Sequence, residues 1–587
     1  MFRPTSPQTS LFEAQFLIPK DKAARLAKSW AEPFRTRVLP LIDEEVFRDA
    51  FAADSGRPNT SIRLLVGLHL LRDWHDLTDA EVAEQLEYNL QWQYALGIEP
   101  AAAHVSEKTL WTFRERLKAN GRAQQMFEGV TRGLAQMDGL RLGKQRLDST
   151  HVISNIAILT RLGLFVETVT VFMEALRRDL PDVLAALPPG YAKRYLDREG
   201  FFGDAKRSQA PRCLLVVAED VWALVERFEA DAQVSGMPTF KTLRRLFQEQ
   251  CVVIEDDGDG PSAGSGADPG SDDAPAEKST PAVRMRRVAL REPKDIGSDS
   301  LQTPHELDVT YGHKGKGYEV QLTETCDADN PYQLITATRV NGANESDQAA
   351  VGPMLDQLEA SGMMPTVVIA DTGYGSGANI VASAERDVEL FAPVRDPNAT
   401  APSDGFEAPA GAMTASDVAP TAAGADDTDQ PVPLNLGDFA FDTTCQTVLS
   451  CPAGQVPVEQ RVSNGQCHAT FASAACGACP LAALCPTREL ASGDRQLRRA
   501  PATIATELRQ VEQQQPAFKE AYKIRSGIES TNHELKGAHG LDALRIRGAP
   551  QVSLAAILKA AALNVKRAVR YHVQRLTEVS REQCPIP

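Results

Sequence analysis

The sequence contains no run of about 18 apolar residues, which excludes an ordinary membrane-spanning helix. Its first residues, Met1 to Lys20, also lack the basic start and continuous apolar stretch of a secretory leader. A cytoplasmic location with no membrane partner is expected. Net positive charge is missing too: 62 Lys and Arg face 78 Asp and Glu, a formal −16. That balance would at first exclude a protein that grips nucleic acid through its phosphates. The distribution reverses the exclusion. Glu255 to Thr280 holds eight acids and one lysine, and Asp396 to Asp442 holds nine acids and no Lys or Arg, so these two stretches carry the whole excess. From Pro486 to Pro587, seventeen bases stand against ten acids. At 587 residues and 43% hydrophobic content, the chain is expected to be a soluble protein of several domains with a substantial core.

One stretch organises the rest. Ala521 to Lys536 reads A-Y-K-I-R-S-G-I-E-S-T-N-H-E-L-K. Wound as one continuous helix, it gathers Tyr522, Arg525, Glu529 and Lys536 within an arc of roughly 60°, with Ile524, Ile528 and Leu535 on a separate side. A surface helix laced with charge pairs would look similar. The spacing Tyr-x2-Arg-x3-Glu-x6-Lys, continued by His539-Gly540-Leu541-Asp542-Ala543-Leu544-Arg545-Ile546-Arg547-Gly548, resembles the signature of the DDE transposases of bacterial insertion sequences. A helical catalytic glutamate in that family is accompanied by two aspartates on strands.

Two segments supply candidates. Arg141 to Leu147 has strand character and ends in Asp148-Ser149-Thr150. Thr366 to Ala370 is a continuous apolar run closed by Asp371-Thr372-Gly373-Tyr374, the pattern of a buried central strand with an acid at its carboxyl end, where ligand sites of α/β sheets lie. Taken alone, Asp148 could instead be a turn or helix cap and Asp371 a helix N-cap. Both segments resemble the family's catalytic segments, and the first continues through Ser154-Asn155-Ile156 and Arg161 to Thr168 as in one branch of it. The resemblance implies that Asp148, Asp371 and Glu529 are catalytic and hold two Mg²⁺ or Mn²⁺ ions. It also implies that Tyr522, Arg525 and Lys536 contact DNA, and that the chain cuts the ends of an insertion sequence and transfers them to target DNA. Its partners would be double-stranded DNA, as terminal inverted repeats and target, and a second copy of the chain on paired ends.

The fold expected is α/β, a ribonuclease-H-like core with a helical insertion, preceded by an all-α domain and interrupted by a small Cys-rich module. After an N-terminal arm (1–29), the helical domain (30–135) carries start signals at Asn59-Thr60, at the capping box Thr78-Asp79-Ala80-Glu81 and at Ser106. Leu77 to Ala83 suits a helix-turn-helix or plain helical packing, and the resemblance, which includes Gly56-Arg57-Pro58 and Leu110-x2-Phe113-Arg114, suggests end binding or dimerisation. The core begins at 136–160 and is interrupted by helices at 161–254, with an acidic disordered linker expected over 255–300. Core strands return over 301–395, around the basic turn His313 to Gly317 with its Lys314 and Lys316. A second linker is expected over 396–436.

Six of the ten cysteines then fall in one segment (437–490). A disulfide framework does not suit a cytoplasmic chain, so metal binding is the better functional reading. Cys451, Cys476, Cys479 and Cys485 are the structural zinc candidates, with Cys445, Cys467 and His468 as substitutes. The glutamate helix and an Ala/Leu-rich helix from Val552 to Leu576 fill 500–576, before a tail (577–587). Two other functions suit the same sequence: a metal-dependent nuclease of the same fold without strand transfer, and a DNA-binding protein derived from a transposase.

Overall fold

The computed structural model describes residues 1–5, 17–53, 55–197, 208–256, 285–395 and 434–582. Most of the two acidic stretches expected as linkers, 257–284 and 396–433, lies outside them, as does 583–587 of the tail.

Local signals account for the first third of the chain. Ser61 caps α1 (Ile62–His75) by accepting from Leu64 N, Thr78 and Glu81 form a reciprocal capping box on α2 (Asp79–Tyr88), and Asn89 caps α3 (Leu90–Leu96), which ends at Gly97 in the left-handed region. Ser106 caps α4 (Glu107–Lys118), and α5 (Arg122–Asp138) ends at left-handed Gly139. These helices share one core with the C-terminal helix and with one face of the sheet. Phe47, Leu68, Phe113 and Phe127 belong to the same buried cluster as Val320, Leu322, Leu558 and Leu563. Each such side chain stabilises the fold by roughly 1.5–3 kcal/mol.

The sheet is built outward from β1 (Lys144–Val152). On one side β1 pairs antiparallel with β5 (Gly315–Thr325), whose other edge pairs antiparallel with β6 (Ile335–Gly342). On the other side it pairs in parallel with β7 (Val367–Ala370), which pairs in parallel with β8 (Glu389–Phe391). The short β4 (Thr310–Gly312) extends the start of β5. Helix α9 (Asp347–Ala360) covers the face that carries Leu147, Val368 and Leu390.

Two additions leave the sheet between its strands. Between β1 and β4, α6 (Arg161–Asp179), α7 (Ala210–Phe228) and α8 (Pro238–Gln250) pack with a ribbon of β2 (Cys251–Asp256) and β3 (Met285–Leu290) around a separate core containing Phe165, Phe172, Tyr195 and Phe240. After β8 and α10 (Gly377–Ala384), a small β module pairs β9 (Ala440–Phe441) with β10 (Val448–Ser450). It also orders β11 (Glu459–Ser463), β12 (Gln466–Phe471), β13 (Arg488–Glu489) and β14 (Arg495–Arg499) as β11-β12-β14-β13. Helices α11 (Pro501–Glu512), α12 (Pro516–Tyr522), α13 (Gly527–Gly537) and α14 (Ala549–Glu582) follow. Buried alanines at 555, 556, 560, 561 and 562 let α14 pack closely on α1, α5 and β6.

Several elements differ from expectation. β1 does not stop before Asp148 but runs through it, because the antiparallel ladder with β5 continues to Val152. Met285–Leu290, inside the stretch expected as a linker, is a strand held by its partner β2, a non-local pairing that composition does not reveal. The Cys-rich sheet continues to Arg499, since β14 supplies the partner of β12, and α14 continues to Glu582. The stretch 521–536 is not one helix. α12 ends at Tyr522, a 3₁₀ turn occupies Lys523–Ser526, and α13 starts at Gly527. The cause is Arg146, whose Nη1 takes the Ile524 carbonyl at 2.9 Å and lies where a Cβ on residue 527 would sit, 2.0 Å from it.

Candidate active site

Register brings the two aspartates together. Leu147 lies opposite Ala370 in the parallel pair β1/β7, so the next residue on each strand is an aspartate, Asp148 on one and Asp371 on the other. Side chains alternate along a strand, so Asp148 shares the face of Arg146, against which α13 packs through buried Ile528, Thr531 and Asn532. Glu529, in the first turn of α13, is 65% exposed at its side chain, while Asp148 is 11% and Asp371 35% exposed. The three carboxylates thus grade from an enclosed floor to a solvent-open rim.

One guanidinium joins them. Arg525 Nη2 donates to Asp148 Oδ1 at 3.1 Å and to Asp371 Oδ2 at 3.5 Å, and its Nη1 donates to Glu529 Oε1 at 3.3 Å. Asn532 Nδ2 donates to the second Asp148 oxygen at 3.0 Å, and Gly373 N donates to Asp371 Oδ1 at 2.7 Å. Burial lifts the Asp148 carboxyl above the usual aspartate range. Arg525 opposes that rise and the Asp371 carboxylate adds to it. The cluster therefore needs a cation, and here the cation is Arg525.

Tyr522 approaches the same place by a stack of rings. It lies on Phe518 with centroids 6.0 Å apart, and Phe518 lies on Phe391, at the end of β8, at 4.1 Å. Burial raises the Tyr522 hydroxyl above its usual range, so it stays protonated. Lys536, two turns along α13, instead pairs with Asp542 at 3.4 Å. Lys314 pairs with Glu319, and Lys316 donates to the Leu159 carbonyl at 2.8 Å. Asn532 is a member of the cluster that sequence reasoning missed. Its signal was its position three residues after Glu529, which puts both on adjoining turns of one helix face. Its Oδ1 and Arg525 Nε are buried without a hydrogen-bond partner.

Two family models match parts of the chain, and one of them contains the helical part of this arrangement. Residues 17–116 match a family model described as a transposase domain (DUF772), and residues 450–569 match one described as a transposase DDE domain. Both matched segments are thus similar to transposase domains, the second to a DDE domain. The second match contains Tyr522, Arg525, Glu529 and Lys536 together with the four zinc candidates, whereas Asp148 and Asp371 lie outside both matched segments. Among curated proteins it resembles an uncharacterized protein of Rhizobium meliloti, ORF8 in the nfe locus, at 32% identity over 124 residues. That alignment covers 20% of this chain and 56% of the relative, so the chain spans about half the length of the curated protein it matches. No solved structure matches it.

The cysteines separate into two groups. Cys451, Cys476, Cys479 and Cys485 line one cavity of about 30 Å³. Cys445 and Cys467 lie instead in the apolar core of the module with Phe439, Phe471 and Leu497, and His468 is half-buried on the strand position next to Cys467. Gln455 N donates to Cys451 Sγ at 3.4 Å, and the Thr487 hydroxyl donates to Cys485 Sγ at 3.2 Å. Among the described residues, no group of three or more His, Cys, Asp or Glu side chains is arranged so that it could hold a metal ion as it stands. At the acids, the Arg525 guanidinium lies between the three carboxylates. Among the described residues, no helix is long and apolar enough to cross a membrane.

Proposed function

We propose that the chain is a transposase that cuts DNA at the ends of an insertion sequence and joins the freed ends to target DNA. The convergence of Asp148, Asp371 and Glu529 on the single Arg525 guanidinium carries this reading. A ribonuclease-H-like core is supported by the sheet, in which three antiparallel strands (β1, β5, β6) are continued from β1 by two parallel ones (β7, β8).

The donor set is three carboxylates, hard oxygen ligands that suit Mg²⁺ or Mn²⁺. Two such ions, when bound, would activate the attacking oxygen and stabilise the leaving one at phosphorus. The rest falls to the protein. Asp148, on a central strand, and Asp371, at the end of its neighbour, form a rigid floor. Glu529 closes the set from a helix. Arg525 satisfies the acids when no other cation is there, and its planar fork suits a phosphate once it is released. Tyr522, held by Phe518 and Phe391, offers a neutral hydroxyl to a backbone phosphate, and Lys536 offers a point charge farther along the strand. The DNA partner, a dimer on paired ends and a cytoplasmic location belong to the same proposal.

Cys451, Cys476, Cys479 and Cys485 suit a structural Zn²⁺ with four thiolate ligands, closed to water and so without part in the chemistry. Cys445 and Cys467, packed in the core, are left out of that set.

The deciding experiment is cleavage and strand transfer on labelled DNA bearing the element's ends, with Mg²⁺, Mn²⁺ or EDTA, comparing the wild type with Glu529→Ala. Metal-dependent nicking followed by joining, both lost in the variant, is expected. Nicking without joining would leave a nuclease, and end binding without nicking under either metal would leave a DNA-binding protein.

A further inference from the structure

Behind the acids lies a carboxylate that the reaction does not use. Glu324, on β5, has no exposed surface, yet it is bonded by three elements at once. Arg146, directly across the ladder on β1, donates to its Oε2 from Nε at 2.8 Å and from Nη2 as well. Thr531, on α13, donates its hydroxyl to Oε1 at 2.5 Å, and Arg567, on α14, donates Nη1 to the same oxygen at 2.6 Å. Arg567 Nη2 also donates to the Thr531 hydroxyl at 2.7 Å.

The placement of these partners gives the buried charge its meaning. Arg146 stands two residues before Asp148, on the same face of β1. Thr531 stands two residues after Glu529. Arg146 also holds the Ile524 carbonyl, and so fixes the turn from which Arg525 projects. The strand and helix that carry two of the three acids are therefore bound to one side chain, and the turn that carries the arginine is tied to it through Arg146. Such an arrangement is an expensive way to fill a core, because apolar residues of similar volume often serve stability as well or better. It does set the distance between strand and helix.

We propose that Glu324 is a positioning residue for metal binding: through Arg146 and Thr531 it fixes Asp148 and Glu529 at the separation that a shared cation pair requires. This rests on the reading of Asp148, Asp371 and Glu529 as the metal-holding set. Glu324 touches neither metal nor DNA.

The test titrates the full chain with Mn²⁺ alone by calorimetry, and in parallel measures single-turnover cleavage and the affinity for uncleaved end DNA. Glu324→Gln keeps the shape and removes the charge. It should weaken Mn²⁺ binding and slow cleavage by about tenfold or more, the scale on which groups behind metal ligands act, with end-DNA affinity unchanged. Glu324→Asp, which keeps the charge, should recover part of the Mn²⁺ affinity. Thr531→Val leaves Glu324 and Arg146 in place, cuts the bonds from α13 to Glu324 and Arg567, and should shift Mn²⁺ binding in the same direction. If Glu324→Gln fails to fold, Thr531→Val decides. A folded Glu324→Gln or, in its place, a folded Thr531→Val with wild-type Mn²⁺ affinity overturns the proposal. Asp371→Asn is the control for the underlying reading: if it binds Mn²⁺ and cuts as the wild type does, the metal-holding assignment itself is wrong.

Discussion

Arg525 Nη2 lies 3.1 Å from Asp148 Oδ1, although 377 residues of chain separate the two. The bond closes the site on itself. Arg525→Ala is expected to lower stability in EDTA by about 1.5–3 kcal/mol, the scale of a hydrogen bond to a charged group, because the acids then face one another without a counter-ion. Mn²⁺ should restore that loss, and Mn²⁺ should bind more tightly than in the wild type because no guanidinium competes. Thermal melts with and without Mn²⁺ measure both effects.

The acids themselves should behave as a unit. Asp148→Asn, Asp371→Asn and Glu529→Gln are each expected to reduce cleavage to background, and combining two of them should cost little more than one. End binding should survive in all three. Gel-shift and single-turnover cleavage assays on the same preparations check this.

Acid should loosen the N-terminal helices and their junction with the C-terminal segment. His539 is wholly buried with Nδ1 2.8 Å from the Asp73 carbonyl, and His69 is buried with Nδ1 2.8 Å from the Leu65 carbonyl. Burial pushes both imidazoles down to about 4. In the unfolded chain they titrate near about 6.5, so between the two values the unfolded state binds more protons. Their contribution is therefore intact above about pH 6.5 and is lost as pH falls toward 4, by up to about 3 kcal/mol for each histidine. Urea midpoints at pH 7 and pH 5 should differ accordingly, and His539→Asn should flatten the dependence.

Zinc should follow four cysteines and ignore two. Metal analysis of the purified chain is expected to give about one zinc per molecule. Cys476→Ser or Cys479→Ser should abolish it, whereas Cys445→Ala and Cys467→Ala should keep it and instead cost packing energy in the module core. Equal zinc content in all four variants would remove the site.

Leu563, on α14, has no exposed surface and belongs to the core shared by the N-terminal helices and the sheet. Leu563→Ala should cost about 2–5 kcal/mol. Calorimetry should show the N-terminal helices and the sheet losing stability together, in one transition.

Much of this was legible in the sequence where the signal is local. Thr78 and Glu81 announced a capping box that forms, and the apolar run before Asp371 announced a central strand. The acids could be named because each sits in a short motif. What could not be read depended on distant partners. β1 continues through Asp148 because β5 pairs with it. Met285–Leu290 is a strand because of β2. The break after Tyr522 is imposed by Arg146, for whose guanidinium Gly527 leaves room. Glu324 was invisible for the same reason: its role is defined by what faces it, not by its neighbours along the chain, whereas Asn532 left only the faint signal of its spacing from Glu529.

The shared core has a genetic consequence. Helix α14 is the last described element and forms one wall of the N-terminal helices, so a stop codon or frameshift before Ala549 removes packing from the first domain as well as the last. An early-truncated copy of the gene should then yield no folded N-terminal fragment that could occupy DNA and interfere with an intact copy. Such copies would be silent rather than inhibitory.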